Sequence, residues 1–87
     1  MLEEMIGQQI VVDLLGPYVC LGKLLRVDDR HLELKNADFH DLRDTQTCRE
    51  NYVVSSVRTG INRNRKRVLL VRREVVAISR LEDVVVD

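Results

Sequence analysis

Aromatic residues are nearly absent from this chain: they make up 3% of its 87 residues, and none of them is tryptophan. A hydrophobic core must therefore be built from Val, Leu and Ile. Apolar residues make up 45% of the chain, which is too many for a disordered segment. The length predicts one small domain over residues 1–87. Since a core of this size is modest, self-association is an expected further source of stability.

Long apolar runs are also missing. No run approaches the roughly 18 residues of a transmembrane helix, and no charged-then-apolar signal region opens the chain. The two cysteines, Cys20 and Cys48, lack the close spacing of a metal site. Cys20 falls in an apolar strand pattern and is expected to be a small buried residue. We therefore expect a cytoplasmic protein without membrane association, bound metal or cofactor.

Catalytic motifs are absent as well. There is no glycine-rich phosphate loop and no recognisable nucleophile motif. His40 and Asp41 are adjacent, but neighbours in a strand point to opposite faces. We therefore expect that the protein is not an enzyme.

The formal net charge is zero, but the charges are unevenly distributed. Residues 1–50 carry six basic and ten acidic side chains, whereas residues 58–73 carry seven basic and no acidic ones. A segment with so many positive charges can bind phosphate groups. It can equally pair with acidic parts of its own or a neighbouring chain, and the sequence leaves both interpretations open.

The first half of the chain has the alternation of β-strands. Residues 8–15, 18–27 and 31–37 are rich in apolar and β-branched residues, and short turns at Gly16-Pro17 and at residues 28–30 separate them. Such short turns predict an antiparallel meander. Before it, residues 2–7 predict one or two helical turns that end at Gly7, with Leu2 and Ile6 on a shared face.

From Thr47 onward, the spacing of the apolar residues changes to that of a helix. Thr47 and Glu50 have the spacing of a capping box, and the helical face is predicted to hold Val53, Val54, Val57 and Ile61. Gly60 is placed to end this helix, which we expect over residues 48–59. A basic connection, residues 62–67, leads to two more strands at 68–72 and 75–81.

Five short, strongly bent strands cannot bury both faces as a flat sheet. The order of elements therefore predicts a mainly β fold: a small five-stranded antiparallel barrel with a short N-terminal helix and a helical insertion between strands 3 and 4. Closure of the barrel would remove the open edges, or a neighbouring subunit would pair with them.

Two motifs resemble those of the Sm and Sm-like family, which includes the LSm and Hfq-like proteins. The first, over residues 6–37, has Ile6-Gly7 before strand 1, Gly22 in strand 2, an acidic turn at Asp28 and alternating leucines from Leu32. The second, "VLLVRREVVAI" at residues 68–78, resembles the strand, arginine turn and closing strand of the family, and the insertion between the motifs spans residues 41–67. This resemblance implies an SH3-like barrel that assembles as a homo-oligomeric ring and holds single-stranded RNA where two turns meet.

The resemblance also implies candidate RNA contacts. His31 stands near the place of the family's base-contacting asparagine, Arg72 matches its arginine, and Arg73 replaces its glycine. His31 would stack on a base or be an exposed turn residue; Arg72 would contact phosphate or form a salt bridge to Asp28. Asp28 and Asp29 are expected to support the turn. Further phosphate contacts are predicted in the basic segment, at Arg63, Arg65, Lys66 and Arg67.

The altered pocket and the scarcity of aromatic platforms predict weak RNA binding with little base preference. An alternative function is also consistent with the sequence. The Sm-like barrel would then act as a structural module in a protein assembly, with its inserted helix as the docking surface for a protein partner.

Overall fold

Apolar and β-branched residues form five strands of one antiparallel sheet. The computed structural model describes residues 1–44 and 47–86. The strands are β1 Gln9–Leu14, β2 Tyr18–Val27, β3 His31–Asp41, β4 Arg65–Val71 and β5 Val75–Arg80. Their order in the sheet is β4-β3-β2-β1-β5. The predicted mainly β architecture and the meander of its first three strands are confirmed.

Strands β2 and β3 approach each other closely at Gly22, where the sheet bends. Gly22 lies so near to β3 that a Cβ atom built on it would stand 3.0 Å from the Cβ of Ala37 and 3.2 Å from the carbonyl oxygen of Lys35. Beside this contact, the pairing of β2 with β3 shifts register, and Asn36 has a positive φ of 50°. An extra residue of this kind bends a strand and increases its twist.

The curled sheet encloses a core to which all five strands contribute. Buried side chains of β1 to β4 form this inner core, and Val75 and Ile78 of β5 pack against it. Leu32 and Leu34 face inward, as their alternation predicts. Cys20 is completely buried, and this burial raises the pKa of its thiol to about 12.

The sheet remains open at β4 and β5. Within residues 1–44 and 47–86, these two strands pair with β3 and β1 respectively and not with each other. Both edges carry exposed apolar side chains: Leu69 is 61% exposed, Val71 43% and Val76 61%. The expected removal of the edges by closure therefore does not occur within one chain.

The N-terminal helical turn is shorter and tighter than the sequence predicts. Leu2–Met5 form a 3-10 helix, in which residues three apart share a face. Consequently Leu2 and Met5 pack against the inner core, whereas Ile6, expected to pair with Leu2, is 45% exposed. None of the helices within the described part of the chain is long and apolar enough to cross a membrane.

The predicted helix between β3 and β4 is confirmed as α1, Arg49–Thr59. It ends at Gly60, which has a φ of 91° and donates its backbone N–H to the carbonyl of Ser56. The capping box is not formed, because Cys48 and not Thr47 occupies the N-cap, without a side-chain cap hydrogen bond. Residues 45 and 46 of the predicted insertion lie outside the described residues.

Helix α1 packs on the outer face of the sheet and builds a second core there. This outer core combines side chains of β1, β2 and α1 with residues near the C-terminal end; its buried members are Val11, Val19, Leu21, Val53 and Leu81. Val57 and Ile61 pack against it as predicted. Val54 is only partly buried and is not among its members. The buried face of the helix is therefore rotated towards Val53 and Ser56.

Two strand boundaries differ by three or more residues from those predicted, and several others differ by one. β3 continues from Ala37 to Asp41 because its last residues pair with the start of β2, with Tyr18 opposite Asp41. β4 begins at Arg65, so that half of the basic connection belongs to a strand. Charged residues are readily accommodated there, since β4 is an edge strand.

We predict that Gly22→Ala destabilises the protein by about 1–3 kcal/mol, because the added methyl group would overpack the contact with β3. Urea denaturation measures this loss. The loss should be smaller in an Ala37→Gly background, where one of the two clashing methyl groups is absent. Equal losses in both backgrounds would show that the contact is not the cause.

We predict that Val53→Asp lowers the free energy of unfolding by about 2–4 kcal/mol, because it places a charge in the outer core. Val54→Asp is the matched control on the same helix and should cost less than about 1 kcal/mol, since that side chain reaches solvent. Thermal or urea unfolding of both variants provides the comparison. A larger loss for Val54→Asp would contradict the observed rotation of the helix.

Candidate nucleic-acid interface

The turn between β2 and β3 is held by the carboxylate of Asp28. One of its oxygens accepts hydrogen bonds from the backbone N–H groups of Arg30, at 2.8 Å, and His31, at 2.7 Å. These bonds lower the pKa of Asp28, that of Arg30 contributing most, because they stabilise the charged carboxylate. The imidazole Nδ1 of His31 lies 3.7 Å from the same oxygen. Asp29 lies beside Asp28 in this turn.

The turn between β4 and β5 is a 3-10 turn, Arg72–Glu74, which is bonded to the first turn. The guanidinium of Arg72 donates to the backbone carbonyl of Asp28 at 2.6 Å, and its backbone N–H donates to the carbonyl of Arg30 at 2.7 Å. Arg72 therefore joins the two turns. It does so through the carbonyl of Asp28 and not through the expected salt bridge to the carboxylate.

This junction gathers four basic side chains, which we call the turn cluster: Arg30, His31, Arg72 and Arg73. They stand beside the carboxylates of the same two turns, Asp28, Asp29 and Glu74. The side chain of His31 is 42% exposed and lies between two clefts. One, of about 440 Å³, is also lined by Arg26, Glu33 and Leu69; the other, of about 370 Å³, by Asp29, Arg30, Val71 and Arg73. Guanidinium and imidazole groups in this arrangement can donate to phosphate or to the edges of bases.

Two members of the turn cluster were not among the predicted contacts. Arg30 belongs to the acidic turn at residues 28–30 and lines the cleft beside His31. Arg73, which replaces the family's glycine, lines the same cleft as His31. Their proximity depends on the bonds between the turns, which are far apart in sequence, and no local signal reveals it.

The basic segment does not join the turn cluster. Arg65 and Val71 are the two ends of β4, so the segment begins roughly 20 Å from the turns. Arg63 donates to the side chain of Asn36 at 2.6 Å, and Arg67 forms an ion pair with Glu33 at 3.4 Å. Lys66 is exposed. The predicted contacts therefore fall into two groups, with His31 and Arg72 in one and the basic segment in the other.

Two further titratable side chains, Asp38 and His40, lie near the end of β3 that is away from the turns. His40 stacks on Tyr52, with ring centroids 4.2 Å apart, and Asp38 accepts a hydrogen bond from Asn64 at 3.2 Å. Burial raises the pKa of Asp38. Among residues 1–44 and 47–86, no group of three or more His, Cys, Asp or Glu side chains is placed to hold a metal ion.

The three aromatic residues are engaged in packing away from the turn cluster. Tyr18 stacks with Phe39, with ring centroids 5.5 Å apart, at the end of β2 opposite the turn, and Tyr52 packs on His40. No aromatic side chain within the described ranges therefore provides a stacking platform at the turns.

Comparisons with known proteins identify the fold. No protein-family model matches the sequence, and no curated protein matches it. Among solved structures, the chain is similar to the Sm protein of Pyrococcus abyssii in complex with a uridine heptamer. The TM-score is 0.61 and the identity 15%, covering 90% of this chain and 89% of that one.

An Sm-like protein of Archaeoglobus fulgidus is similar with a TM-score of 0.62 and 24% identity, over 92% of this chain and 88% of that one. A chain of the NatC complex bound to Gag peptide and CoA has a TM-score of 0.58 and 22% identity, over 90% and 87% of the two chains. At these identities the likeness establishes the fold. The chain therefore has the Sm-like fold, as its two sequence motifs predict.

Proposed function

We propose that this protein is a ring-forming Sm-like protein that binds single-stranded RNA weakly and with little base preference. The observation that carries the proposal is the junction of the two turns through Arg72. It places three arginines and a histidine at one end of the sheet, where a phosphate or a base edge could be held. The proposed role is non-catalytic.

The chemistry of the turn cluster supports weak and unselective binding. Arginine forms charge-assisted bonds with phosphate and can stack on a base, and His31 can stack or donate a hydrogen bond. However, one donor of Arg72 is already bonded to the carbonyl of Asp28, and the aromatic platforms of tight single-strand binders are absent from the cluster. Phosphate contacts position a strand without reading its sequence.

The fold likeness adds support of a more general kind. The Sm protein of Pyrococcus abyssii was solved with a uridine heptamer, so a chain of this fold can hold uridine-rich RNA. Fold alone does not determine function, and for this reason the proposal depends on the turn cluster.

A homo-oligomeric ring is proposed from the two open edges. β4 and β5 lie at opposite sides of the sheet and carry the exposed side chains Leu69, Val71 and Val76. Pairing of β4 of one subunit with β5 of the next would satisfy both edges and extend the sheet around the ring.

The second candidate function is that of a module in a protein assembly. The same exposed edges favour it, as does the likeness to a chain of the NatC complex. Helix α1 is a less suitable docking surface than the sequence suggests, because its apolar face is used by the outer core. A partner at α1 would meet a mostly polar surface that includes Glu50, Asn51, Ser55 and Arg58.

We predict that Arg72→Ala weakens RNA binding by about 1–3 kcal/mol, because it removes a charge-assisted contact and frees the two turns. His31→Ala should weaken binding in the same range if the imidazole stacks on a base. Fluorescence anisotropy with short uridine-rich, adenine-rich and mixed RNAs, at low and moderate salt, measures both effects. Arg80→Ala is the control, since it removes an arginine at the other end of β5.

The affinities for the three RNAs should be similar and should fall steeply with salt. Absence of binding to all three RNAs at low salt would reject the RNA function and favour the assembly module. Tight and base-selective binding would show that the turns form a more complete pocket than proposed.

We predict that the chain forms a homo-oligomer at micromolar concentration. Light scattering should give a mass that is a multiple of 10.1 kDa, and Val76→Lys should shift the protein to smaller species, because lysine on an edge strand opposes pairing. Val85→Lys is the control: it changes a side chain that is 73% exposed and lies outside both edge strands. A monomer of the unmodified chain would contradict the ring.

A further inference from the structure

Three basic side chains of the sheet stand directly opposite one another on neighbouring strands. Lys23 of β2 pairs with Lys35 of β3, and Lys35 pairs with Arg67 of β4. All three are exposed. Residues that pair in this way share a face of the sheet, with Cβ atoms roughly 5 Å apart. We call this set the basic row.

The basic row lies on the outer face of the sheet, next to the outer core. Leu24 and Leu34, the neighbours of the two lysines, are completely buried in the inner core, so the lysines point to the opposite side. Gln9 of β1 continues the row opposite Lys23 and is also exposed. Arg63 reaches the same region, since it bonds to Asn36 beside Lys35.

The positive charges of the basic row are only partly balanced. Glu33 forms ion pairs with Arg26 and Arg67, and the bond from Arg26 is the main cause of the lowered pKa of Glu33. Within the described ranges, neither Lys23 nor Lys35 has an ion-pair partner. Like charges directly opposite each other destabilise a sheet. Lys35 stands between two such neighbours, an arrangement that a bound anion would relieve.

The basic row is continuous with the turn cluster. His31, Glu33 and Lys35 alternate along β3 with the buried Leu32 and Leu34, so all three face outward. The distance along the strand from His31 to Lys35 is roughly 13 Å. Between them lies the cleft of about 440 Å³, in which the exposed Leu69 offers an apolar surface.

We propose that the basic row is a second phosphate-binding surface, along which an RNA strand held at the turns continues across the outer face of β3 and β4. That the bound strand is RNA rests on the proposed function. The continuity with the turn cluster favours a nucleic-acid strand over an acidic protein, because cations and the apolar Leu69 lie along one path, as phosphates and bases do in a strand. The carboxylates on this path are already engaged: Glu33 pairs with Arg26 and Arg67, and Asp28 accepts backbone hydrogen bonds of its own turn.

The test compares the full chain with Lys23→Gln, Lys35→Gln and the double variant, using a mixed-sequence single-stranded RNA of about 20 nucleotides and a uridine heptamer. For the long RNA, the slope of log affinity against log salt should become shallower by about 0.7 for each lysine that contacts phosphate. The slope for the heptamer, which the turns alone can hold, should change less. Arg58→Gln, which removes one charge from α1, should leave both slopes unchanged.

A stability measurement separates lost contacts from unfolding. Lys35→Gln should raise the melting temperature by about 1–5 °C, because it relieves repulsion from both neighbours. Weaker RNA binding by a more stable protein supports a functional role for the lysine. A melting temperature that falls together with the affinity would overturn the proposal, since the lysine would then be structural.

The outcomes for the two sites are distinguishable. If Arg72→Ala weakens binding while the lysine variants leave the slope unchanged, the proposal that the basic row binds phosphate is overturned and the proposed function stands. If the lysine variants flatten the slope while Arg72→Ala and His31→Ala have no effect, the basic row is supported and the turn cluster is not. Binding to heparin or to phosphatidylserine vesicles without binding to RNA would overturn the assignment of RNA as its ligand.

Discussion

Strands β2 and β3 approach so closely at Gly22 that any side chain there would meet the backbone of β3. One consequence follows from this contact and from the extra residue, Asn36, that lies opposite it. The sheet curls, so that Leu70 of β4 and Ile78 of β5, at its two edges, reach one inner core. A flat sheet of the same strands would need a second layer on each face, which a chain of 87 residues with few large side chains cannot supply.

The outer face of the curled sheet is divided between packing and charge. Over β1 and the first half of β2, helix α1 covers Val11, Val19 and Leu21. Beyond Gly22 the same face carries Lys23 and the cations that pair across from it. The inserted helix therefore completes the fold at one end and leaves the other end open to a partner. This explains why a helix between β3 and β4 does not obstruct the turns, which lie at the uncovered end.

The sequence predicts those features that depend on neighbouring residues. The alternation of Leu32 and Leu34, the end of α1 at Gly60 and the existence of five strands are local patterns, and the structure confirms them. Two local patterns, the capping box at Thr47 and the helical turn before Gly7, were wrong. The other errors concern partners distant in sequence: β4 begins at Arg65 because β3 pairs with it, and Arg72 bonds to a carbonyl 44 residues away. The basic row is of the same kind, since its lysines are 12 residues apart and meet only through the register of β2 and β3.

The bond between Arg72 and the carbonyl of Asp28 has opposite effects on the structure and on the proposed binding of RNA. It fixes the two turns to each other, which keeps the turn cluster ordered before a ligand arrives and reduces the entropy that binding would otherwise cost. It also occupies a guanidinium donor that would have been available to phosphate. The turns are thus well positioned, but not all of their donors are available to phosphate. Lys23 and Lys35, in contrast, have no ion-pair partner within the described ranges, and only the sheet positions them. An RNA strand that used both surfaces would combine a fixed starting point with additional electrostatic contacts, so its affinity would increase with its length more than with its sequence.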